Sequence, residues 1–301
     1  MASSSHADFV HRMVKRSQRL TSGDGEQVVL HDLGGAGPPL LLGHGNGLNT
    51  GMWVPAVLSL RAKFRCFGVD LRGHGVCRVV QSDYSVERDR LGEDLMACVD
   101  TIGEPVAYAG HSLGGAAAIY GSLARPSLFS AMWLFEPVVI GDWVDRSSPP
   151  SALVEMTRRR RSEFESVDDA VQRFMAKPPF NQCDVAAVRA YVEFGTRPSG
   201  ADRPSIELTC RPDDEARVFG SGQPMDFGRL GAITTPTVIA AGANVEDLHA
   251  IPAQMAAPLA EAMPNARLEL HHSLGHFGPM EAPEVVAGAI TTHIEQCVGD
   301  G

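Results

Sequence analysis

One serine stands in a sequence pattern that could make its hydroxyl group a nucleophile. Ser112 has a glycine two positions before it and another two positions after it. The apolar stretch 105–108 before the pattern predicts a buried strand, and the small residues at 115–124 predict a helix. A tight strand-to-helix turn leaves no room for side chains beside the serine, which explains the glycines. Such a turn exposes the hydroxyl at the helix N-terminus, where the amide of Leu113 can stabilise an oxyanion.

A Gly-x-Ser-x-Gly turn between a strand and a helix resembles the nucleophile elbow of the α/β-hydrolases. The stretch 43–47, Gly-His-Gly-Asn-Gly, is similar to the oxyanion loop of that family, and 70–75, Asp-Leu-Arg-Gly-His-Gly, is similar to another of its turns. The resemblance covers residues 18–140 and 226–298. It implies that the backbone amide of Asn46 is the second oxyanion donor.

A serine hydroxyl group is a weak nucleophile at neutral pH, so the reaction needs a base within hydrogen-bond reach. An imidazole suits both proton transfers, because its ordinary pKa lies near neutrality. The chain has 11 histidines. The resemblance implies that the base is His276, in a Gly-His-Phe loop after the last predicted strand, and we interpret His74 as structural.

The acid that orients the histidine is where the sequence departs from the usual family pattern. The family places an aspartate three residues after the glycine that ends the seventh strand, but Val245 stands there. Asp247, or as a second choice Glu246, could reach the usual place from a longer loop. Glu136 ends an earlier apolar strand, where a buried carboxylate needs a partner such as a protonated His276. We favour Glu136 and keep Asp247 as the alternative.

The order of the predicted elements indicates the fold class. Strands and helices alternate before residue 141 and again after residue 225, which predicts an α/β fold with a doubly wound, mostly parallel sheet, eight-stranded by the resemblance. Helical segments dominate in 141–225, where the family carries its cap. We therefore expect an α/β-hydrolase core from 1–140 and 226–301 with a helical cap between them. The arginine run 158–161 in this cap is interpreted as a solvated helix face.

The amino-acid composition narrows the function classes that fit this chain. With 26 Lys and Arg against 36 Asp and Glu, the net charge is −10, which gives no support to nucleic-acid binding. The six cysteines form no Cys-x-x-Cys pair and are expected to be reduced. The basic N-terminal segment, expected to form a short helix, is followed by no apolar stretch. We therefore expect a cytoplasmic protein without a signal peptide or membrane span.

The expected reaction is hydrolysis of a small carboxylic ester, lactone or thioester bound under the cap, without a metal or organic cofactor. Carbon–carbon bond hydrolysis, a non-hydrolytic reaction at the same serine, or a binding protein that has lost its activity remain alternatives. Haloalkane dehalogenase and epoxide hydrolase chemistry is excluded, because an alkylated serine would be a stable ether. The oligomeric state is left open.

Overall fold

The structure is a computed structural model that describes residues 16–77, 84–143, 151–199, 205–222, 224–242 and 250–299. The predicted N-terminal helix and the loop that contains Asp247 lie outside these residues. The strands are β1 Ser17–Thr21, β2 Gln27–Gly34, β3 Pro39–Gly43, β4 Arg65–Asp70, β5 Ala107–His111, β6 Ala131–Phe135, β7 Glu163–Phe164, β8 Thr196–Ser199, β9 Ser205–Leu208, β10 Thr237–Gly242 and β11 Ala266–His271. The helices are α1 Val54–Leu60, α2 Arg88–Ile102, α3 Leu113–Ala124, α4 Ser151–Arg158, α5 Val167–Met175, α6 Val185–Phe194, α7 Pro212–Ser221, α8 Ala250–Ala262, α9 Gly278–Glu281 and α10 Pro283–Gly299.

Eight strands form one sheet in the order β1-β2-β4-β3-β5-β6-β10-β11. Strands β1, β2 and β4 pair antiparallel, and every pair from β4 to β11 is parallel. The prediction of a mostly parallel eight-stranded sheet is therefore confirmed. Because parallel strands end at one edge, the loops after β3, β5, β6, β10 and β11 meet there.

Both faces of the sheet are covered, which makes the fold doubly wound. Leu40 and Leu42 of β3 share a buried cluster with residues of α1 and α10, whereas Leu41 between them packs with residues of α2, α3 and α8. Alternate residues of a strand point to opposite faces. A strand buried on both faces needs apolar residues throughout, which explains the continuous apolar runs in the sequence.

In the described residues between β6 and β10, the chain forms four α-helices, α4 to α7, and a small antiparallel sheet in the order β7-β9-β8. The sequence pattern does not predict this sheet. Its strands are two to four residues long, and β8 contains Pro198. Strands this short show no readable alternation of apolar and polar residues, and proline argues against a strand.

The composition led to expectations about the cysteines and about membrane-spanning helices. None of the six cysteines takes part in a disulfide bond, and burial raises the pKa of the Cys66 thiol to about 12. Among the helices in the described ranges, none has the length and apolar character needed to cross a membrane.

Candidate active site

Ser112 lies in the turn between β5 and α3, as its sequence pattern predicts. Its backbone has φ 50° and ψ −108°, a conformation that residues with side chains rarely adopt. A Cβ atom at Gly114 would lie 2.6 Å from the carbonyl carbon of Gly43, and one at Gly110 would lie 2.9 Å from the amide nitrogen of Gly115. The turn therefore requires glycine at both positions, because the atoms in the way are backbone atoms at Gly114 and, at Gly110, backbone atoms together with the ring of the buried Tyr108.

The loop after β3 packs against the start of α3. The amide of Gly114 donates to the carbonyl oxygen of His44 over 2.9 Å. Helix α3 begins at Leu113, so the Leu113 amide has no acceptor within its own helix. Asn46 lines a cavity together with Ser112. The structure thus brings Asn46 and Leu113, the two expected oxyanion donors, to the same region as the serine.

The side chain of Asn46 is held from two sides. Its Nδ2 donates to the carbonyl oxygen of Glu215 over 3.0 Å, and its Oδ1 lies 3.2 Å from Nε2 of His74. His74 is buried, and its Nδ1 lies 2.9 Å from the carbonyl oxygen of Arg72. His74 thus contacts the loop of Asn46, in keeping with its structural interpretation.

Glu136 directly follows β6, and its carboxylate contacts the imidazole of His276. Its Oε2 lies 2.6 Å from Nδ1 of His276, and its Oε1 accepts a hydrogen bond from the amide of Gly242 over 2.9 Å. The Glu136 residue is only 2% exposed. The structure therefore brings Glu136 and His276 together, whereas Asp247 lies outside the described residues.

Backbone strain coincides with these positions. Among the described residues other than glycine, positive φ angles occur at Ser112, with φ 50°, and at Glu136, with φ 44°. Each such conformation costs about 1–3 kcal/mol and persists only where the surroundings enforce it. Strain of this kind is typical of functional sites.

His111 contacts the loop of the candidate base, and the sequence pattern gave it no role. Its Nε2 donates to the carbonyl oxygen of His276 over 2.8 Å, and the two imidazole centroids are 4.9 Å apart. His111 is the variable residue before the serine in the Gly-x-Ser-x-Gly pattern. That pattern specifies no residue type there, so this contact becomes visible only in the fold.

A cavity of about 230 Å³ is lined by Ser112 and His276 and by residues that follow β6 in the chain. One of them is Arg160, whose side chain is only 20% exposed and lies 2.9 Å from Glu215. The interpretation of the arginine run as a solvated helix face is therefore wrong for this residue. Helix α4 ends at Arg158, so Arg160 is not on the helix.

A sequence model described as the alpha/beta hydrolase family matches residues 40–289. The chain belongs to this family. The match includes Ser112, Glu136 and His276, and the whole segment between β6 and β10.

Individual relatives of this alpha/beta hydrolase differ in how much of the chain they match. Protein phosphatase methylesterase 1 of Mus musculus is 33% identical over 146 residues, which are 46% of this chain but span only 36% of that protein. The putative carbamate hydrolase RutD of Pseudomonas savastanoi pv. phaseolicola is 28% identical over 82% of this chain and 89% of its own length. The peroxisomal alpha-beta-hydrolase Lpx1 of Saccharomyces cerevisiae superposes with a TM-score of 0.74 at 18% identity, over 92% of this chain and 83% of its own. That last likeness shows the fold.

Proposed function

We propose that this alpha/beta hydrolase cleaves a small carboxylic ester, lactone or thioester through an acyl-enzyme intermediate. Ser112 is the nucleophile, His276 the base, Glu136 the acid, and the amides of Asn46 and Leu113 the oxyanion donors. The observation that carries the proposal is the 2.6 Å contact between Glu136 Oε2 and His276 Nδ1, because a carboxylate at Nδ1 favours the tautomer in which Nε2 can accept the serine proton.

In the first half of the reaction, the Ser112 oxygen attacks the substrate carbonyl carbon while His276 Nε2 accepts the hydroxyl proton. Glu136 fixes the tautomer with hydrogen on Nδ1 and stabilises the imidazolium ion that forms. The amides of Asn46 and Leu113 donate to the negatively charged oxygen of the tetrahedral intermediate. The imidazolium then returns its proton to the leaving alcohol or thiol, and the acyl group stays on Ser112.

In the second half, water attacks the acyl carbon while His276 accepts one of its protons. The tetrahedral intermediate collapses, the bond to Ser112 breaks, and the serine oxygen takes back the proton. The products are a carboxylic acid and the free enzyme. Each proton transfer uses one imidazole, and the steps need neither a metal nor a redox cofactor.

Residues 141–225 are proposed to form a cap over this site. More than half of the residues that line the cavity belong to this segment, among them Leu153, Phe180 and Phe219. A volume of about 230 Å³ suits a small substrate. The names of the relatives, a methylesterase and a putative carbamate hydrolase, support attack at a carbonyl carbon.

A fluorophosphonate probe tests the proposal, because it reacts only with a serine whose hydroxyl group is activated. We expect the probe to label the wild-type protein on Ser112, and labelling to fall at least about a hundredfold in Ser112→Ala. Intact-protein mass spectrometry measures the adduct, and peptide mapping locates it. Ser59→Ala is the matched control and should be labelled like the wild type, because Ser59 donates to Glu284 and neither residue lines the cavity.

Failure of the folded wild-type protein to react would contradict the proposal and favour a small-molecule binding protein that has lost its activity. Equal labelling of the wild type and Ser112→Ala would show that another residue is the reactive group.

A further inference from the structure

Arg160 and Glu215 form an ion pair in the wall of the active-site cavity and have no part in the proposed mechanism. Nη2 of Arg160 lies 2.9 Å from Oε2 of Glu215, and both residues line the cavity with Ser112 and His276. The exposed fractions of the two side chains are 20% and 11%. Because the carbonyl oxygen of Glu215 accepts a hydrogen bond from the side chain of Asn46, the pair stands beside the oxyanion loop.

The pair leaves part of its hydrogen-bonding capacity unused. Nη2 of Arg160 and Oε2 of Glu215 lie 2.9 Å apart without the alignment of a hydrogen bond, and Nε of Arg160 is buried with no hydrogen-bond partner among the described residues. The guanidinium also forms a hydrogen bond with Tyr191. Burial disfavours the charge of Arg160, but Tyr191 and Glu215 outweigh it and raise the pKa, so the guanidinium stays charged. An incompletely bonded ion pair stabilises a fold less than apolar residues of the same size. Stabilisation of the fold alone therefore does not explain why this ion pair lies in the cavity wall.

Charge decides which ligand group fits beside the pair. A carboxylate that approached Arg160 would be repelled by Glu215 at a similar distance, because the two charged groups are only 2.9 Å apart. An ammonium group beside Glu215 would be repelled by Arg160 for the same reason. A neutral group that carries an acceptor next to a donor meets neither repulsion. Carboxamides and carbamates are such groups, with a carbonyl oxygen for the guanidinium and an N–H for the carboxylate.

We propose that Arg160 and Glu215 form a subsite for a carboxamide or carbamate group of the substrate, separate from the carbonyl that Ser112 attacks. The inference rests on the proposed function, since it names a feature of the substrate of that reaction. Binding includes a rotation of the partly exposed Arg160 side chain, which brings its donors to the cavity surface. The carbonyl oxygen then accepts from Arg160, and the N–H donates to Glu215.

Four acetate esters test the subsite: those of glycolamide, glycolate and isobutanol, whose alcohol parts are of similar size, and that of the larger N,N-dimethylglycolamide. Isobutanol matches the shape of glycolamide without its polar atoms, and the dimethyl amide keeps the acceptor but lacks the donor. We expect kcat/KM for the glycolamide ester to exceed that for each of the other three at least about tenfold, because unpaired polar groups in a site discriminate strongly. Acetate release measures all four rates.

Variants of the pair distinguish recognition from support of the fold. The double variant Arg160→Met with Glu215→Gln removes both charges together, so no unpaired charge stays buried. It should lower the ratio of the glycolamide to the isobutyl rate at least about tenfold, towards the ratio of the two esters' rates with hydroxide. The single variant Glu215→Gln removes the repulsion of the carboxylate and should raise the rate with the glycolate ester relative to the isobutyl ester. Arg159→Met is the control, because Arg159 is exposed and directly precedes Arg160. It should keep the wild-type ratios between the rates of the four esters.

Each other outcome overturns the inference. Preference for the glycolate ester in the wild type would show an anion site, and equal rates for the four esters would show that the pair only supports the fold. A glycolamide preference that survives in the double variant would place the recognition elsewhere. Ser112-dependent hydrolysis of the isobutyl ester reports the proposed function by itself, because that ester has no group for the pair. The subsite can therefore fail while the proposed function stands.

Discussion

Ser112 and Glu136 each follow the last residue of a strand, and both have backbone conformations that cost free energy. Their strands β5 and β6 are parallel neighbours with His111 opposite Phe135, and the amide of Ser112 donates to the carbonyl oxygen of Phe135 over 3.0 Å. The amide of Glu136 donates in turn to Ala240 of β10 over 2.8 Å. The sheet thus enforces both strained conformations, and it places the proposed nucleophile and acid at neighbouring strand ends.

His44 is a second residue whose environment has a measurable consequence. Its Nε2 accepts a hydrogen bond from the amide of Leu71 over 3.1 Å, so a proton on that nitrogen would break the bond. Burial lowers the pKa of His44, although the carboxylate of Asp70 opposes this. Below about pH 6.5 the unfolded chain therefore binds a proton here that the folded protein does not, and stability decreases as the pH falls.

We predict that His44→Gln is less stable than the wild type at pH 8. Its free energy of unfolding should also depend less on pH than that of the wild type. Below pH 6.5, one proton changes the free energy of unfolding by at most about 1.4 kcal/mol per pH unit. The free energy of unfolding of the variant should therefore fall less steeply with decreasing pH, by up to this amount. Urea unfolding between pH 5 and pH 8 measures both curves. Parallel curves for the two proteins would show that His44 binds a proton in the folded state as readily as in the unfolded chain.

At the scale of elements, helix α3 and the loop after β3 are in contact through Gly114. We predict that Gly114→Ala lowers the free energy of unfolding by about 2 kcal/mol, since its Cβ would lie 2.6 Å from the carbonyl carbon of Gly43 and would separate the two elements. The same substitution at Gly288 of α10 is the control, because a Cβ there meets nothing within 4 Å. Gly288→Ala should stabilise the protein by up to about 1 kcal/mol. Urea unfolding that gave both variants the same sign would contradict this account of the elbow.

The elements that position the site were largely predictable, because each carries a local pattern. Strand β3 is continuously apolar, α2 has a clear apolar stripe, and the elbow glycines mark a tight turn. The boundaries were less accurate: β5 ends at His111 and α3 begins at Leu113, where the pattern suggested residues 108 and 115. The small sheet β7-β9-β8 was not predictable, since its strands carry no local signal and are defined by their pairing.

At the scale of the whole molecule, contacts between distant parts of the chain carry the information that the sequence lacks. Ser112 and His276 could be proposed from motifs, whereas the sequence left three acidic candidates, and only the fold shows that Glu136 lies beside His276, 140 residues away. Arg160 shows the same limit. The sequence places it in a run of four arginines that predicts a solvated surface, and only the folded structure shows that it lines the cavity. Spatial proximity across the sheet edge is what local patterns do not specify.

If Ser112, His276 and Glu136 act as one catalytic unit, the substitution Glu136→Gln must impair the reaction. Glutamine keeps the size of the side chain but cannot stabilise an imidazolium ion with a negative charge. Glu269→Gln is the matched control, because Glu269 also contacts a histidine, His271, at 3.0 Å but does not line the cavity. Thermal unfolding of each variant checks that it is folded.

The measurement is kcat/KM for p-nitrophenyl acetate. We predict a decrease of at least about a hundredfold in Glu136→Gln and a change of no more than about twofold in Glu269→Gln. A folded Glu136→Gln enzyme with near wild-type kcat/KM would contradict the account, because the 2.6 Å contact with His276 would then have no part in catalysis.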